Sequence, residues 1–274
     1  MNPSDKSDCC EIIKAHDRQA SEKRQLMNNT VPENIFTTMT AAGCGPLLVV
    51  IPAWNEENTV DKVVTATRKI LTSDIVVVDD CSSDQTIKSA RKAGARILPL
   101  PYHLNSWGAM QTGIRYGLKN GYRCILTLDS DGQHLPESVP AMLQPIIKGE
   151  ADVVIGACPE RGSRGRKIAW AFFRMLTGLN YQDLTSGLRI YNHKAIKLLA
   201  SKEATLLDYQ DLGVLLLLRS SGLRIVEVPV IMECRENDKS RIFNSWLMVG
   251  KYMFQSIILC LAKTKRRSNL KCHE

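Results

Sequence analysis

Short apolar runs alternate with amphipathic stretches of helical periodicity between residues 47 and 157. The runs LLVVIP (47–52) and DIVVVDD (74–80) have the length and composition of buried strands in a parallel sheet. Further strands are predicted at Ala95–Leu100, Arg123–Leu128 and Asp152–Ala157. Helices are predicted between the strands, at Asn58–Leu71, Asp84–Ala93, Trp107–Lys119 and Pro136–Lys148. This alternation predicts an α/β fold with a mostly parallel central sheet flanked by helices.

The pattern is less regular after residue 157. Strands are predicted at Gly187–Tyr191 and Leu223–Met232, and helices at Lys167–Leu176, Lys194–Ala200, Tyr209–Arg219 and Asn244–Lys263. Residues 1–45 are polar and weakly patterned, which predicts a flexible N-terminal arm. We therefore expect an arm over 1–45, an α/β domain over 46–242, and an amphipathic helix with a basic tail over 243–274.

Composition narrows the class of protein. Of the 274 residues, 44% are hydrophobic and 23% are charged, which excludes a disordered chain, a coiled-coil rod and a polytopic membrane protein. The formal net charge of +8 favours an acidic partner such as nucleic acid, a nucleotide, a phospholipid or a polyprenyl phosphate. Nine scattered cysteines form no C-x-x-C pair, and the first residues have no apolar core. These features predict free thiols in a reducing cytosol and no secretory signal.

Polar side chains follow three of the predicted strands. The segments are IPAWNEE (51–57), VVVDDCSSD (76–84) and LTLDSDGQH (126–134). The carboxyl ends of parallel strands meet at one edge of a sheet, where such folds bind their ligands. Because several carboxylates at one edge repel each other, this arrangement favours a bound cation or a basic ligand.

Two carboxylates directly follow the fourth predicted strand. Asp129 and Asp131 flank Ser130, and residues two apart in an extended stretch point the same way, so the pair can hold Mg²⁺ or Mn²⁺. Gln133 continues this alternation. The cation would neutralise a diphosphate and stabilise a leaving nucleoside diphosphate. An isolated D-x-D pattern is most often a surface turn, but the other polar strand ends favour a metal site here.

The ends of the first two strands offer groups for a nucleoside. Asp79 and Asp80 are suited to accept hydrogen bonds from a ribose or from a base N–H. The wall around the base and the ribose would be formed by Pro52, Asn55 and Glu56. Asp84 is alternatively explained as a helix N-cap. No Walker loop and no G-x-G-x-x-G segment is present, which argues against P-loop and dinucleotide-binding folds.

The three motifs, in this order, resemble those of the inverting family 2 glycosyltransferases, which have the GT-A fold. The segment DSDGQH (129–134) is most similar to the polyprenyl-phosphate branch, which includes the dolichyl-phosphate mannose and glucose synthases. The resemblance covers about residues 47–242. It implies a metal-dependent transferase that uses Mn²⁺ or Mg²⁺ and a UDP- or GDP-linked sugar.

Three further segments extend the resemblance. In DLTSGLR (183–189), Arg189 takes the place of an arginine that meets phosphate and assists catalysis. In IVEVPVIMECRENDKSR (225–241), the polar positions that would meet phosphate or the acceptor are Arg235, Ser240 and Arg241. Asp238 stands in this segment where glycine is usual. The segment YHLNSWGAMQTGI (102–114) keeps Asn105 and Gly108 of a donor-binding stretch.

The resemblance assigns a role to each group. Asp79 and Asp80 would bind the nucleoside, while Asp129, Asp131 and Gln133 would hold the metal and the diphosphate. Arg189 is alternatively a surface charge or part of a structural ion pair. Arg235 and Arg241 are alternatively basic residues beside a membrane-facing helix.

A catalytic base is required only if the acceptor is a hydroxyl group. Asp211 lies in LDYQDLG (207–213), where the base of such family members falls, and Asp208 is a nearby competitor. A lipid phosphate is already an anion and needs no strong base. In that case Asp211 is a helix-start acid stabilised by the helix dipole.

The segment Asn244–Lys263 is long enough for a hydrocarbon core, but Lys251 and Gln255 lie inside it. We expect a helix in the membrane interface, with the basic tail KTKRR (263–267) on anionic headgroups. The alternatives are a helix packed on the catalytic domain or on the partner in a homodimer, and a true span. The predicted location is cytoplasmic and peripheral to the membrane.

The sequence therefore predicts an inverting hexosyltransferase that uses a polyprenyl-phosphate acceptor at the cytoplasmic membrane face. The first alternative is transfer to a glycan hydroxyl in surface-polysaccharide assembly, with Asp211 as the base. A sugar nucleotidyltransferase is less favoured, because IPAWNEE (51–57) has neither the glycine nor the basic residue of the loop that such enzymes carry there. Nothing besides the net charge favours a nucleic-acid partner, so none is expected.

Overall fold

The computed structural model describes residues 45–161, 170–175, 178–205 and 212–233. Seven strands form one sheet: β1 (Leu47–Ala53), β2 (Asp74–Asp79), β3 (Arg96–Pro99), β4 (Cys124–Thr127), β5 (Val153–Ala157), β6 (Arg189–Asn192) and β7 (Ile225–Pro229). Their order across the sheet is β3-β2-β1-β4-β6-β5-β7. Strand β6 runs antiparallel to both of its neighbours, and the other adjacent pairs are parallel.

Helices connect most of the strands. They are α1 (Val60–Ile70), α2 (Thr86–Lys92), α3 (Asn105–Lys119), α4 (Val139–Ile147), α5 (His193–Leu199), α6 (Lys202–Thr205) and α7 (Leu212–Ser220). Short 3₁₀ turns lie at Pro136–Ser138 and Pro159–Arg161, and residues 170–175 are helical.

The helices cover both faces of the sheet. Successive side chains of a strand point to opposite faces, so Leu48 and Val50 of β1 enter one hydrophobic core while Val49 and Ile51 enter the other. Helices α3, α5 and α7 contribute buried residues to the first core, and α1 and α4 contribute to the second. The result is a three-layer α/β arrangement whose strands are buried on both sides.

A buried carboxylate joins three strands at the amino end of β5. Asp152 accepts hydrogen bonds from the backbone N–H of Arg224 at 3.0 Å, from Arg224 Nε at 3.1 Å and from Asn192 Nδ2 at 2.8 Å. Arg224 also donates from Nη1 to the carbonyl oxygen of Gly149 at 2.6 Å. This network fixes the ends of β5, β6 and β7 relative to one another.

The predicted alternation over residues 47–157 and the mostly parallel sheet are confirmed, with element ends that differ by a few residues. The antiparallel insertion of β6 between β4 and β5 is a feature that the pattern did not specify. The predicted arm and the helix predicted at Asn244–Lys263 lie outside the described residues. Of the helix predicted at Lys167–Leu176, residues 170–175 are described and are helical. Within the described residues, no helix has both the length and the apolar character required to cross a membrane.

Candidate functional site

The three polar segments lie at one edge of the sheet. Strands β1, β2 and β4 are parallel, and their carboxyl ends carry the loops that begin at Trp54, Asp80 and Leu128. This is the edge at which open α/β sheets bind ligands. The segments predicted to converge are therefore brought together by the topology.

The loops after β1 and β2 are joined by hydrogen bonds. The backbone N–H of Asn55 donates to Ser82 Oγ at 2.9 Å, and the backbone N–H of Ser83 donates to Asn55 Oδ1 at 2.9 Å. The backbone N–H of Glu56 donates to Thr86 Oγ1 at 2.8 Å. Asn55 has a φ of 52°, in the left-handed region that asparagine tolerates better than most residues. The amide oxygen of Asn55 thus holds the second loop, although the sequence assigned this residue to the nucleoside wall.

Two acidic residues of these loops also have structural partners. Glu56 Oε2 accepts a hydrogen bond from Thr59 Oγ1 at 2.9 Å, just before α1 begins. Asp84 accepts hydrogen bonds from the backbone N–H of Thr86 at 2.9 Å and of Glu57 at 3.2 Å. Burial alone would raise the pKa of Asp84, but these hydrogen bonds and that of the Thr86 hydroxyl hold the pKa below its ordinary value. Asp84 therefore binds the backbone N–H of the first residue of α2, while the N-cap position of that helix is taken by Gln85.

Asp79 is the last residue of β2 and lies at the site edge, and one oxygen of its carboxylate is unused among the described residues. The residue is 2% exposed. Its Oδ2 accepts a hydrogen bond from the backbone N–H of Ser82 at 3.2 Å. Its Oδ1 is buried and accepts no hydrogen bond within the part of the chain that the structure describes. A buried acceptor of this kind is costly unless a ligand completes it.

The carboxylate of Asp80, unlike that of Asp79, lies against the start of helix α3. It accepts a hydrogen bond from the backbone N–H of Leu104 at 2.6 Å, and His103 Nδ1 lies 2.9 Å from its Oδ2. Burial raises the pKa of Asp80 above its ordinary value, because hydrogen bonds from Leu104 and Asn105 and the neighbouring His103 offset only part of the desolvation. Helix α3 begins at Asn105, so Asp80 caps the positive end of that helix.

Two aromatic rings lie beside these carboxylates. The rings of Trp54 and His103 are 4.5 Å apart between centroids and tilted by 40°. Trp54 is 44% exposed, so part of its ring faces solvent. The predicted residues Pro52 and Asn105 flank the same two loops: Pro52 is half-buried in β1, and Asn105 is exposed with a φ of 64°. Gly108, on the first turn of α3, lies where a Cβ atom would fall 2.5 Å from Leu104 Cβ.

The loop after β4 holds the predicted metal ligands. Asp131 Oδ1 accepts a hydrogen bond from the backbone N–H of Gln133 at 3.1 Å, and the carbonyl oxygen of Gln133 accepts one from the backbone N–H of Glu233 at 2.9 Å. His134 Nε2 lies 3.3 Å from Asp129 Oδ2. The side chain of Asp129 is 34% exposed and that of His134 is 1% exposed. The loop is therefore fixed to the segment after β7 while Asp129 still reaches the surface.

The donor atoms of this loop suit a hard divalent cation. Asp129, Asp131 and Gln133 offer side-chain oxygen atoms, which Mg²⁺ and Mn²⁺ prefer. The part of the chain described by the structure contains no group of three His, Cys, Asp or Glu residues arranged to hold a metal ion. The donor set therefore fits a cation whose remaining ligands come from a diphosphate or from water, as Mg²⁺ sites commonly have.

Arg189 is not at the surface of the site. It is 0% exposed, and its Nη2 donates to the carbonyl oxygen of Leu184 at 3.1 Å. A direct contact with a phosphate would require this side chain to leave the core. The remaining predicted residues lie outside the described residues: Asp208, Asp211, Arg235, Ser240 and Arg241.

Three site residues were not predicted: Trp54, His103 and His134. All three lie within the quoted segments, so the segment positions were the available signal. The role of His103 could not be inferred from its segment, because its partner Asp80 lies 23 residues away in the chain. These residues surround the carboxylates that were predicted.

Comparison with known proteins agrees with the resemblance in the motifs. The family model described as glycosyl transferase family 2 matches residues 48–200. An undecaprenyl-phosphate mannosyltransferase of Micrococcus luteus is 31% identical over 216 residues, which cover 72% of this chain and 87% of that protein. A UDP-N-acetylglucosamine–dolichyl-phosphate N-acetylglucosaminyltransferase of Methanococcus voltae is 25% identical over 78% of this chain and 95% of its own length. The predicted similarity to the polyprenyl-phosphate branch is confirmed.

A solved structure agrees with the predicted fold. Glucosyl-3-phosphoglycerate synthase from Mycobacterium tuberculosis, in complex with Mn²⁺, UDP and phosphoglyceric acid, superposes with a TM-score of 0.64. The match covers 83% of this chain and 81% of that chain at 20% identity. The predicted GT-A fold is confirmed, and at this identity the likeness concerns the fold alone.

Proposed function

Because this chain belongs to glycosyl transferase family 2, we propose that it transfers a hexose from a nucleoside diphosphate to a polyprenyl phosphate with inversion. The observation that carries the proposal is the position of the Asp129 and Asp131 carboxylates at the same sheet edge as the unused oxygen of Asp79. The names of the similar proteins support the acceptor, since they include undecaprenyl-phosphate, dolichyl-phosphate and polyprenol transferases.

The nucleoside of the donor binds between the loops after β1 and β2. Asp79 Oδ1 accepts an N–H of the base, which completes the buried acceptor. The exposed part of the Trp54 ring supplies an apolar face beside it. Both uracil and guanine offer such an N–H, so UDP- and GDP-linked sugars are the two donor classes to compare.

The diphosphate binds at the loop after β4. Asp129, Asp131 and Gln133 hold Mn²⁺ or Mg²⁺ there, and this cation, when bound, stabilises the charge of the leaving nucleoside diphosphate. The buried guanidinium of Arg189 holds the loop at Leu184, so we assign it a positioning role.

The acceptor phosphate is the nucleophile. One of its oxygens forms a bond to the anomeric carbon while the bond from that carbon to the diphosphate breaks, with attack from the opposite face. The phosphate is an anion at neutral pH, so this transfer needs no strong base. Arg235, Ser240 and Arg241 are proposed to contact the acceptor phosphate, and their segment directly follows residue 233, whose N–H is bonded to Gln133.

The polyprenyl chain of such an acceptor is held in a membrane. We therefore propose that the protein works at the cytoplasmic membrane face as a peripheral protein. The basic segment KTKRR (263–267) supplies charge for anionic headgroups. Binding of the full chain to liposomes with and without anionic lipid tests this location.

The decisive experiment is a transfer assay on the full chain with Mn²⁺. UDP- and GDP-linked radiolabelled hexoses are supplied with or without a short polyprenyl phosphate, and label is measured in the organic phase. We expect lipid-linked product with one of the two donor classes. A parallel reaction supplies a glycan acceptor and measures label in the aqueous glycan fraction; transfer there alone would overturn the proposal in favour of the alternative acceptor. Asp211→Asn separates the two cases, because a hydroxyl acceptor requires a base whereas a phosphate acceptor does not.

A further inference from the structure

The carboxylate of Asp129 lies directly against the backbone of Gly187. A Cβ atom built on Gly187 would fall 2.5 Å from Asp129 Cγ and even closer to both carboxylate oxygens. Gly187 does not have a positive φ. The absence of a side chain at position 187 is therefore required by the nearby carboxylate and not by the backbone conformation.

A buried hydroxyl fixes this piece of backbone. Thr127 is the last residue of β4 and is 0% exposed. Its Oγ1 donates to the carbonyl oxygen of Gly187 at 2.9 Å. Thr127 is also paired with Arg189 in the ladder between β4 and β6. Residue 187 is thus held to the same strand that carries Asp129 two residues further on.

The buried imidazole of His134 lies against the carboxylate of Asp129 and restricts it on another side. His134 Nε2 lies 3.3 Å from Asp129 Oδ2, and its side chain is 1% exposed. His134 also forms a β-bridge with Met232. The backbone of Gly187 and the ring of His134 together restrict the side-chain conformations open to Asp129, whose remaining surface is exposed.

We infer that Gly187 and Thr127 are positioning residues for the divalent cation, because they set the rotamer of Asp129 through the backbone at position 187. The inference rests on the metal role given to Asp129 in the proposed function. Groups that orient metal ligands commonly change metal affinity about 10- to 100-fold when they are altered.

The variant Gly187→Ala tests this directly. The new methyl group meets the end of a side chain, and Asp129 can rotate away, so the fold is retained while the carboxylate is displaced. Gly117→Ala in α3 is the matched control, since its methyl group would meet Ile125 Cδ1 at 2.6 Å and no carboxylate. Mn²⁺ affinity is measured on each full-length protein by electron paramagnetic resonance with saturating UDP and with saturating GDP, and folding by thermal unfolding.

We expect Gly187→Ala to bind Mn²⁺ at least about tenfold more weakly than wild type and Gly117→Ala to match wild type. Equal affinities in wild type and Gly187→Ala would overturn this inference and leave the proposed function standing. Failure of the wild type to bind Mn²⁺ would overturn both.

A second pair of variants decides the case if Gly187→Ala does not fold. Thr127→Val removes the hydroxyl with little change of shape, and Thr127→Ser keeps it. Weaker Mn²⁺ binding in Thr127→Val that is restored in Thr127→Ser supports the inference. Wild-type affinity in a folded Thr127→Val overturns the role of the hydroxyl, because the backbone at Gly187 is then held without it.

Discussion

Asp79 and Asp152 are buried carboxylates at opposite edges of the same sheet, 2% and 4% exposed. Asp152 precedes β5 and receives hydrogen bonds on both oxygens, from Arg224 and Asn192. Asp79 ends β2 and receives one on Oδ2, while its Oδ1 accepts none among the described residues. The two carboxylates are both almost fully buried, but they differ in how many of their oxygen atoms accept a hydrogen bond.

This difference separates a structural carboxylate from one that we propose to serve a ligand. Burial alone would raise the pKa of Asp152, but hydrogen bonds from Arg224 and Asn192 hold that pKa below its ordinary value. Asp152 therefore contributes stability as a charged group. Asp79 carries an acceptor that no group among the described residues completes, and such a cost is found most often at binding sites.

Loss of the carboxylate of Asp131, a proposed metal ligand, is expected to have the largest effect, which is on the transfer rate. Asp131→Ala should lower the transfer rate at least about 100-fold, because the charge on the leaving diphosphate is no longer neutralised. Its thermal unfolding midpoint should stay close to that of wild type. Rates are measured with the lipid-phosphate assay, and full activity of Asp131→Ala would refute the metal assignment.

Removal of the carboxylate of Asp152, whose two oxygens both accept hydrogen bonds, should lower stability and leave the candidate site unchanged. Asp152→Ala leaves the partly buried amide of Asn192 and backbone N–H of Arg224 without their acceptor, and should lower the free energy of unfolding by about 2 kcal/mol. Donor affinity should match wild type in the folded protein. Urea unfolding measures the free energy of unfolding, and donor titration measures the affinity. A weaker donor affinity in Asp152→Ala would contradict the assignment of a structural role to one edge of the sheet and a binding role to the other.

The unused Oδ1 of Asp79 should contribute to the affinity for the donor and little to the stability of the fold. Asp79→Asn should weaken donor binding about tenfold, since a charge-assisted hydrogen bond to the base is lost. Its free energy of unfolding should equal or exceed that of wild type, because a buried charge has been removed. Asp152→Asn is the matched control with the same chemical change at the other edge. Unchanged donor affinity in Asp79→Asn would remove Asp79 from the binding site.

The smallest expected effect concerns the free energy of unfolding, to which Asp152 and Asp80 should contribute with opposite pH dependences. The pKa of Asp152 is lowered in the fold, so its stabilisation is present above the ordinary carboxyl pKa and is lost as the pH falls through the lowered value. Burial raises the pKa of Asp80, so its contribution is most favourable at acid pH and declines as the pH rises through the raised value. Unfolding of Asp152→Asn and Asp80→Asn at several pH values should therefore differ from wild type with opposite slopes. Parallel slopes would contradict this assignment.

The sequence predicted the parts of the fold that depend on local pattern. The runs that became β1 and β2 are uniformly apolar because both of their faces are buried, and this signal requires no knowledge of the neighbouring strands. The place of β6 could not be read in this way, since the pairing of Thr127 with Arg189 joins segments 62 residues apart. Strand existence is a local property, whereas strand order is a property of the assembled sheet.

The site shows the same division between local and distant effects. Residue types at strand ends located Asp79, Asp129 and Asp131, because topology alone brings such ends together. The sequence also predicted that Asn55 and Asp80 contact the nucleoside, which stays a prediction; the structure adds that Asn55 holds Ser83 and that Asp80 binds the start of α3. Each of these partners lies more than 20 residues away, so the spacing within a motif could not reveal it.

The position of β6 has a consequence for synthesis on the ribosome. Strand β5 is paired with β6 and β7, which both follow it in the chain, so a nascent chain that ends at residue 157 offers β5 neither of these ladders. The edge of β4 also stays open until residues 189–192 emerge, and an open edge is a template for aggregation. The hydroxyl of Thr127 finds the carbonyl of Gly187 only at that stage. The proposed cation site is therefore completed late in translation, after the loops that follow β1 and β2 can already have closed.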